Sequence, residues 1–200
     1  MTKTGMRFKK IGVINPTKLN KYAPYLAGLL DGEGGFSIKA NRSKPPSLQA
    51  YVTLQMTHEE TVKWFADLLS VDYDQRPRKK TTLYRSGVFT EDDVKILLEA
   101  ILYWQITKRK HTDLILELFS LKEKLSNPEA YGVDATVEKD IRLRLLDIYS
   151  EVRRLNLKGK PLTLGRLKEL RDQVEELYKR KNRSIIEHQA NRRRHLVVRR

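Results

Sequence analysis

A hydrophobic run at residues 25–30 leads into Asp-Gly-Glu-Gly-Gly at residues 31–35. We expect a helix here that is capped by Asn20, carries Pro24 in its first turn and ends near Gly32. Carboxylates at a helix C-terminus face the negative end of the macrodipole, which costs about 0.3–1 kcal/mol each. Buried glycines cost about 1 kcal/mol each relative to alanine. We therefore expect this helix end to serve a purpose other than stability.

Hydrophobic and polar residues then alternate in residues 36–41 and again in residues 48–57. This alternation predicts a β-hairpin with one apolar and one polar face. The polar face has no carboxylates. Its amides, hydroxyls and lysine are the groups that contact base edges and phosphates in the DNA major groove, which admits a two-stranded ribbon. The alternative is an ordinary solvated face, although such a face would normally include Asp or Glu. The predicted DNA contacts in this hairpin are Ser37, Lys39, Asn41, Arg42, Lys44, Gln49, Tyr51, Thr53 and Gln55.

A helix from His58 to Leu69 follows, with Thr57 as its expected N-cap and Glu60 completing a capping box. A second, basic pair of strands is predicted between residues 73 and 89, and Thr90 is expected to cap the next helix. The basic side chains of this second pair, which we also expect to contact DNA, are Arg76, Arg78, Lys80 and Arg85.

The remainder of the chain has the periodicity of helices, at about residues 113–125, 136–155 and 162–186. The element order predicts an α+β protein with one αββαββα unit, an antiparallel sheet and C-terminal helices, without an internal repeat. The break at residues 157–161 divides the chain into a domain at 1–155, with its core at about 20–126, and a basic helical extension at 156–200. The arginine-rich end is expected to be either a solvated terminus or a non-specific phosphate contact.

The charge balance narrows the possible partners. The chain has 40 Lys and Arg against 25 Asp and Glu, a net charge of +15, which indicates nucleic acid or an anionic membrane surface. No stretch approaches the ~18 continuous apolar residues of a membrane span, and the N-terminus lacks the apolar segment of a secretory signal, so no membrane partner is expected. The absence of cysteine excludes disulfides and thiolate chemistry and is compatible with an intracellular protein.

Residues 26–34, Leu-Ala-Gly-Leu-Leu-Asp-Gly-Glu-Gly, resemble the signature of the LAGLIDADG homing endonucleases. Residues 54–65 are similar to the end of that family's second strand and its following helix. Residues 101–111 are similar to its Leu-Pro-Tyr-Leu-x-x-Lys-x-x-Gln segment. The resemblance covers roughly residues 22–125 and is to the single-motif, homodimeric branch.

The resemblance implies an active site shared between two motif helices, each delivering one acidic residue. By position that residue is Glu33, which would be both catalytic and a ligand of Mg²⁺ or another divalent cation such as Mn²⁺. The carbonyl of Gly32 would face the metal, and Asp31 would hold the helix end. Ala27 and Gly28 are expected to let the two helix backbones approach, while Gly32 and Gly34 would allow a tight turn.

Two further active-site residues follow from the same resemblance. Lys108 matches a lysine that stabilises the phosphate or tunes the attacking water, and His58 matches a polar residue that orders water. Taken alone, either side chain is expected to be merely exposed. Val62 stands where some relatives carry a basic residue, and only neighbouring Lys63 could replace it.

The function implied is a site-specific, homodimeric endonuclease that cuts double-stranded DNA at a long pseudo-palindromic target. Such proteins are encoded in phage, bacterial, archaeal or organellar introns. The alternative within the same fold is an RNA-binding intron maturase or a DNA-binding protein that does not cut. A third class, a basic ribosomal or membrane-associated protein, is disfavoured by the polar hairpin face.

Overall fold

The computed structural model of the chain describes residues 9–41, 43, 46–157 and 165–180. The elements are α1 (Pro16–Glu33), β1 (Gly34–Ala40), β2 (Leu48–Met56), α2 (Glu59–Leu69), β3 (Tyr73–Pro77), β4 (Thr82–Val88), α3 (Glu91–Ile101), a 3₁₀ turn (Leu102–Trp104), α4 (Arg109–Ser126), α5 (Ala135–Asn156) and a helix α6 that covers 165–180. No helix within these ranges is long and apolar enough to cross a membrane.

The four strands form one antiparallel sheet in the order β1-β2-β4-β3. In β1 and β2 the alternating hydrophobic residues are buried, as predicted, with Phe36 paired to Val52 and both at most 1% exposed. The helices pack on this apolar face, and the opposite face carries the polar side chains. The predicted α+β fold with an antiparallel sheet is therefore confirmed.

The hydrophobic core continues from the sheet into the C-terminal helices. Leu170, Val174 and Tyr178 of α6 are buried in the same core cluster as residues of α1, α4 and α5. Asn156, the last residue of α5, donates from its amide to the carbonyl oxygen of Phe36 in β1 at 2.7 Å. These contacts place the C-terminal helices beside the first strand. The division at residues 155 and 156 stays a prediction.

The first helix begins earlier than the sequence predicted. Asn15 is its N-cap and accepts a hydrogen bond from the backbone N–H of Lys18 at 3.1 Å, and Pro16 occupies the first turn. The predicted Asn20 cap is wrong, and Pro24 lies inside the helix. Proline is tolerated there because Asn20 and Pro24 are both exposed, so water can reach the carbonyl left without a donor.

Two other helix starts also differ from the prediction. The N-cap of α2 is His58 rather than Thr57, because its ring nitrogen Nδ1 accepts from the backbone N–H of Thr61 at 3.3 Å. Helix α4 starts at Arg109 rather than near Asp113, and its N-cap, Lys108, makes no side-chain cap bond. Its start is stabilised from α1, as described below. The predicted Thr90 cap of α3 is confirmed.

Candidate active site and nucleic-acid interface

Asp31, two residues before the end of α1, binds the segment that leads into α4. Its Oδ2 accepts hydrogen bonds from the backbone N–H groups of Ile106 at 2.7 Å and Thr107 at 3.1 Å. Its Oδ1 accepts from the backbone N–H of Lys108 at 2.9 Å. The carboxylate therefore satisfies donors next to the N-terminus of α4, where the macrodipole favours a negative charge.

The side chain of Lys108 in turn contacts the end of α1. Its ammonium group, Nζ, donates to the carbonyl oxygens of Gly34 at 2.6 Å, Leu30 at 2.9 Å and Gly32 at 3.4 Å. These carbonyls lie at the C-terminal, negative end of α1, where a cation is stabilising. The predicted active-site lysine thus contacts the end of the motif helix directly.

The protonation of Asp31 follows from these contacts. Partial burial raises the pKa of Asp31, but hydrogen bonds from the N–H groups of Ile106, Lys108 and Thr107, with the positive charge of Lys108, outweigh it. The net result is a pKa below the ordinary value of 3.8. Asp31 is therefore an anion at neutral pH, and its hydrogen bonds connect the end of α1 to the segment that leads into α4.

Glu33 has a different environment. It is the last residue of α1 and is exposed, and no hydrogen bond or ion pair within the described part of the chain uses its carboxylate. Across residues 9–41, 43, 46–157 and 165–180, no group of three or more His, Asp or Glu could hold a metal ion. At the end of α1, one chain thus presents the exposed carboxylate of Glu33 together with the exposed Gly32.

An open strip of backbone runs along the outer side of α1. A Cβ added at Gly28 or Gly32 would meet nothing within 4 Å, and both residues are exposed. Ala27, by contrast, is fully buried in its own core. The predicted role of Ala27 in helix–helix approach is therefore wrong, and only Gly28 and Gly32 are placed to serve it. Tyr25, which is 58% exposed, borders the same strip.

Gly34 is required for space rather than for a tight turn. Its φ and ψ, −71° and 144°, are ordinary extended values, which corrects the expectation of a special backbone conformation. A Cβ on Gly34 would lie 2.5 Å from the carbonyl oxygen of Leu30. The close passage from α1 into β1 therefore excludes any side chain there.

His58 is held by the turn that it caps. Its Nδ1 lies 2.8 Å from the hydroxyl oxygen of Thr61 as well as 3.3 Å from that residue's backbone nitrogen. This bonding orients the ring and occupies Nδ1, which leaves Nε2 as the ring nitrogen for any contact with water. The predicted water-ordering role of His58 stays a prediction.

The polar face of the sheet carries most of the predicted DNA-contacting residues. Lys39 and Gln55 are exposed, and so are the second-hairpin residues Arg76, Arg78 and Lys80. The half-exposed members are Ser37, Asn41, Gln49, Tyr51 and Thr53. Arg42 and Lys44 lie outside the described residues.

Three residues of this face already have internal partners. The side-chain amide of Gln49 donates to the carbonyl oxygen of Phe89 at 2.9 Å, and the ring of Tyr51 stacks on Phe89 with centroids 5.2 Å apart. The hydroxyl of Thr53 donates to the carbonyl of Gly35 at 3.4 Å. These contacts fix the side chains before any ligand binds.

Arg85 does not fit its predicted role. Its side chain is 3% exposed, and its guanidinium binds both carboxylate oxygens of Asp74, through Nε at 2.9 Å and through a short second contact. The two residues are directly opposite each other in β3 and β4. A buried, paired arginine cannot reach a base edge, so the predicted DNA contact of Arg85 is contradicted. The sequence signal that was missed is Asp74, a carboxylate on the polar face.

A second hydrogen-bond network connects α4, the end of α5 and β1. His111, in the first turn of α4, is buried, and its Nε2 lies 3.2 Å from the side-chain oxygen of Asn156. Burial lowers the pKa of His111, as does the charge of Lys108, while the contact with Asn156 raises it, and the net shift is downward. The amide of Asn156 also lies 3.3 Å from the hydroxyl of Ser37. The end of α5 is thus connected both to the active-site helix α4 and to the polar face.

The sequence and the fold of this chain were compared with those of known proteins. No protein-family model matches the sequence, and no curated protein sequence matches it. Solved structures do match. The homing endonuclease I-CvuI, crystallised with the I-CreI DNA target, aligns with a TM-score of 0.58 and 16% identity over 82% of this chain and 98% of its own.

Two further structures agree. The archaeal intron-encoded homing endonuclease I-Vdi141I, complexed with DNA, aligns with a TM-score of 0.57 and 14% identity over 78% of this chain and 96% of its own. The LAGLIDADG meganuclease I-CpaMI, bound to uncleaved DNA, aligns with a TM-score of 0.52 and 17% identity over 78% of this chain but 49% of its own. With the motif at the end of α1, the bracing of that end by Asp31 and Lys108, and the four-stranded sheet beside it, this chain has the fold of the LAGLIDADG homing endonucleases.

Proposed function

We propose that this protein is a site-specific DNA endonuclease that works as a homodimer, with one Glu33 from each chain at the reacting phosphates. The observation that carries the proposal is an exposed carboxylate at the end of α1, which hydrogen bonds fix to the segment before α4. Asp31 and Lys108 hold that end through hydrogen bonds to backbone groups, while the carboxylate of Glu33 points outward. A carboxylate on a helix end that is held in place is suited to catalysis, because a catalytic group must be fixed in position relative to the reacting atoms.

The need for a second chain is supported by the geometry of α1. The strip at Gly28 and Gly32 has room for another helix backbone, and close approach of two such helices would bring two Glu33 side chains together. The alignment with nearly all of I-CvuI, but with about half of I-CpaMI, supports the view that this chain is one unit of a two-unit enzyme. A twofold dimer would bind a long, pseudo-palindromic duplex.

The donor chemistry fits a hard divalent cation such as Mg²⁺ or Mn²⁺. The oxygen donors near the end of α1 are the exposed carboxylate of Glu33 and the carbonyl of Gly32, which also accepts a long hydrogen bond of 3.4 Å from Lys108. The helix end itself favours positive charge. Two chains would supply two carboxylates. When bound, such ions would supply Lewis-acid activation of water and stabilisation of the leaving oxygen.

The residues of the chain itself have distinct tasks in this proposal. Lys108 binds the carbonyls of Gly32 and Gly34, the residues on either side of Glu33 in the chain, and its positive charge favours approach of a phosphate. Asp31 fixes the loop that carries Lys108. On the polar face, Lys39, Gln55 and Arg76 are exposed and would contact bases or phosphates in the major groove.

The decisive experiment combines selection and substitution. A randomised duplex library incubated with the protein and Mg²⁺ should yield a cleaved target. On that target Glu33→Gln should reduce cleavage by at least about 100-fold, because a charge worth several kcal/mol in the transition state is lost. Binding without divalent ions should change little. Glu99→Gln, at an exposed position on α3, is the matched control and should cut at the wild-type rate.

The outcomes separate this function from its alternative. Wild-type cleavage by Glu33→Gln would show that this carboxylate is not catalytic. Failure of the wild-type protein to cut any library member, together with faster splicing of an intron RNA when the protein is added, would instead indicate the maturase function.

A further inference from the structure

We propose that a cleft outside the β1 edge of the sheet binds a DNA backbone phosphate that flanks the sequence read by the sheet. This proposal rests on the endonuclease function above and adds a binding site contributed by the C-terminal helices. The cleft has a volume of about 390 Å³ and lies between β1, α5 and α6. Its polar and charged lining includes Ser37, Lys39, Tyr149, Arg153, Asn156 and Arg166.

The charge of the cleft is of one sign. Lys39, Arg153 and Arg166 contribute three cations, and no carboxylate lines it within the part of the chain that the structure describes. A second cleft, of about 630 Å³, shows the contrast. Its lining includes the carboxylates of Asp147 and Glu151, which pair with Arg171 and Arg144. A carboxylate repels a phosphate, so the first cleft, whose lining has none, is the candidate.

The lining side chains are held in place. Tyr149 accepts a hydrogen bond from Nη1 of Arg153 at 2.9 Å, and the guanidinium also lies 5.5 Å from the centre of the Tyr149 ring. Asn156 anchors the end of α5 to β1 through the carbonyl of Phe36. Arg166 forms an exposed ion pair with Glu169 through Nη1, and such pairs contribute about 0–1 kcal/mol, so a phosphate can replace it.

The position of the cleft points to phosphate rather than base contacts. β1 is an edge strand, and the cleft continues outward from Ser37 and Lys39 on the polar face. Four strands spaced about 4.8 Å apart span about 14 Å, which is comparable to the ~12 Å width of the major groove. A sheet that fills the groove leaves groups beyond its edge facing the DNA backbone. The expected ligand is therefore a duplex phosphate at the rim of the groove.

The test uses the full chain and measures binding to a long double-stranded DNA of mixed sequence, without divalent ions, across a series of KCl concentrations. A homodimer has two copies of the cleft, so Arg153→Gln should lower the slope of log affinity against log salt by about 1.8 and weaken binding at least about five-fold at physiological salt. Arg166→Gln should lower the slope by less, because Glu169 already neutralises part of its charge. The control is Arg171→Gln, which removes the same charge from α6 at the cleft where the arginine is already paired. It should leave both quantities unchanged. Thermal unfolding of each variant establishes that the fold is intact.

Base preference provides a second measurement. A phosphate contact carries no sequence information, so the target profile obtained by cleavage selection should be the same for Arg153→Gln as for the wild type. Unchanged salt slopes in both variants would overturn the proposal, and so would an equal loss in Arg171→Gln. Loss of binding to an RNA hairpin without loss of binding to duplex DNA would overturn the choice of ligand. Wild-type protein that binds no duplex at all would instead contradict the proposed endonuclease function.

Discussion

The side chains of Asp31 and Lys108 each lie at the helix end that complements their charge. Asp31 belongs to the C-terminus of α1, but its carboxylate accepts the N–H of Lys108 at 2.9 Å beside the N-terminus of α4. Lys108 precedes α4, but its ammonium binds the carbonyls of Leu30 and Gly32, which flank Asp31 in the chain. Each contact with a dipole end stabilises by about 0.3–1 kcal/mol, and more where partly buried. The unfavourable position that Asp31 has within its own helix is thereby offset.

Replacing Lys108 with methionine tests whether its contacts with the end of α1 stabilise the protein. Lys108→Met removes three donor contacts to backbone carbonyls while keeping much of the aliphatic side chain. Because hydrogen bonds that involve a charged group contribute about 1.5–3 kcal/mol, we expect the free energy of unfolding to fall by an amount in this range. Cleavage should also decrease at temperatures where the variant is folded. Urea denaturation and single-turnover cleavage are the measurements, and Lys110→Met, at an exposed position two residues on, is the control. Equal stability of the two variants would contradict the bracing role.

Asp31→Asn should change how stability depends on pH. The pKa of Asp31 is lowered in the folded protein, so its stabilising contribution is complete above the ordinary value of 3.8 and is lost as the pH falls through the lower folded value. At neutral pH the variant should be less stable by about 1–3 kcal/mol, because asparagine has one acceptor oxygen for three donors. The difference from the wild type should narrow at acid pH. Urea denaturation over a pH series checks this, with the exposed Asp113→Asn as control. A difference that stays constant down to the lowest pH would show that the charge of Asp31 is unimportant.

Gly34→Ala should destabilise the protein by about 1–3 kcal/mol, as overpacked substitutions do. Its Cβ would meet the backbone of Leu30, with the carbonyl oxygen 2.5 Å and the Cα 2.8 Å away, and neither atom can move without disturbing α1. Gly165→Ala makes the same chemical change where the new Cβ meets nothing within 4 Å, so its free energy of unfolding should stay at or above the wild-type value. Denaturant unfolding of both variants is the measurement. Wild-type stability of Gly34→Ala would mean that the passage from α1 to β1 is less crowded than described.

Gly28→Leu tests the proposed homodimer. The new side chain enters open space in one chain, so each subunit should remain folded, but it would occupy the strip needed by a second helix. We expect the dissociation constant of the dimer to rise at least about ten-fold, which corresponds to about 1.4 kcal/mol. Sedimentation equilibrium measures the oligomeric state. Lys18→Leu, which places a leucine at an exposed position in the first turn of the same helix, should have no such effect. A dimer of unchanged affinity in Gly28→Leu would exclude this face of α1 as the interface.

Local patterns in the sequence predicted much of the fold. Alternation in residues 36–40 and 48–56 identified β1, β2 and their buried face, because the side-chain period of a strand is visible within a few residues. Thr90 was identified as a cap because its partner, Asp93, is three residues away. The motif at residues 26–34 predicted a supporting role for Asp31 and a catalytic role for Glu33, and the role of Glu33 stays a prediction.

Only the tertiary structure assigned the partners of those residues. The contacts of Asp31 with residues 106–108 join positions 75 to 77 apart, and the start of α4 depends on them, so no local cap signal could reveal that start. Arg85 had the composition of a DNA-contacting residue, yet strand register places it against Asp74. Ala27 and Gly28 are neighbours in sequence, but one faces the core and the other faces open space. The sequence by itself thus determined the local elements and the motif, because their causes lie within a few residues. Burial, pairing and the bracing of Glu33's helix were decided by contacts between distant segments, which form only when the chain folds.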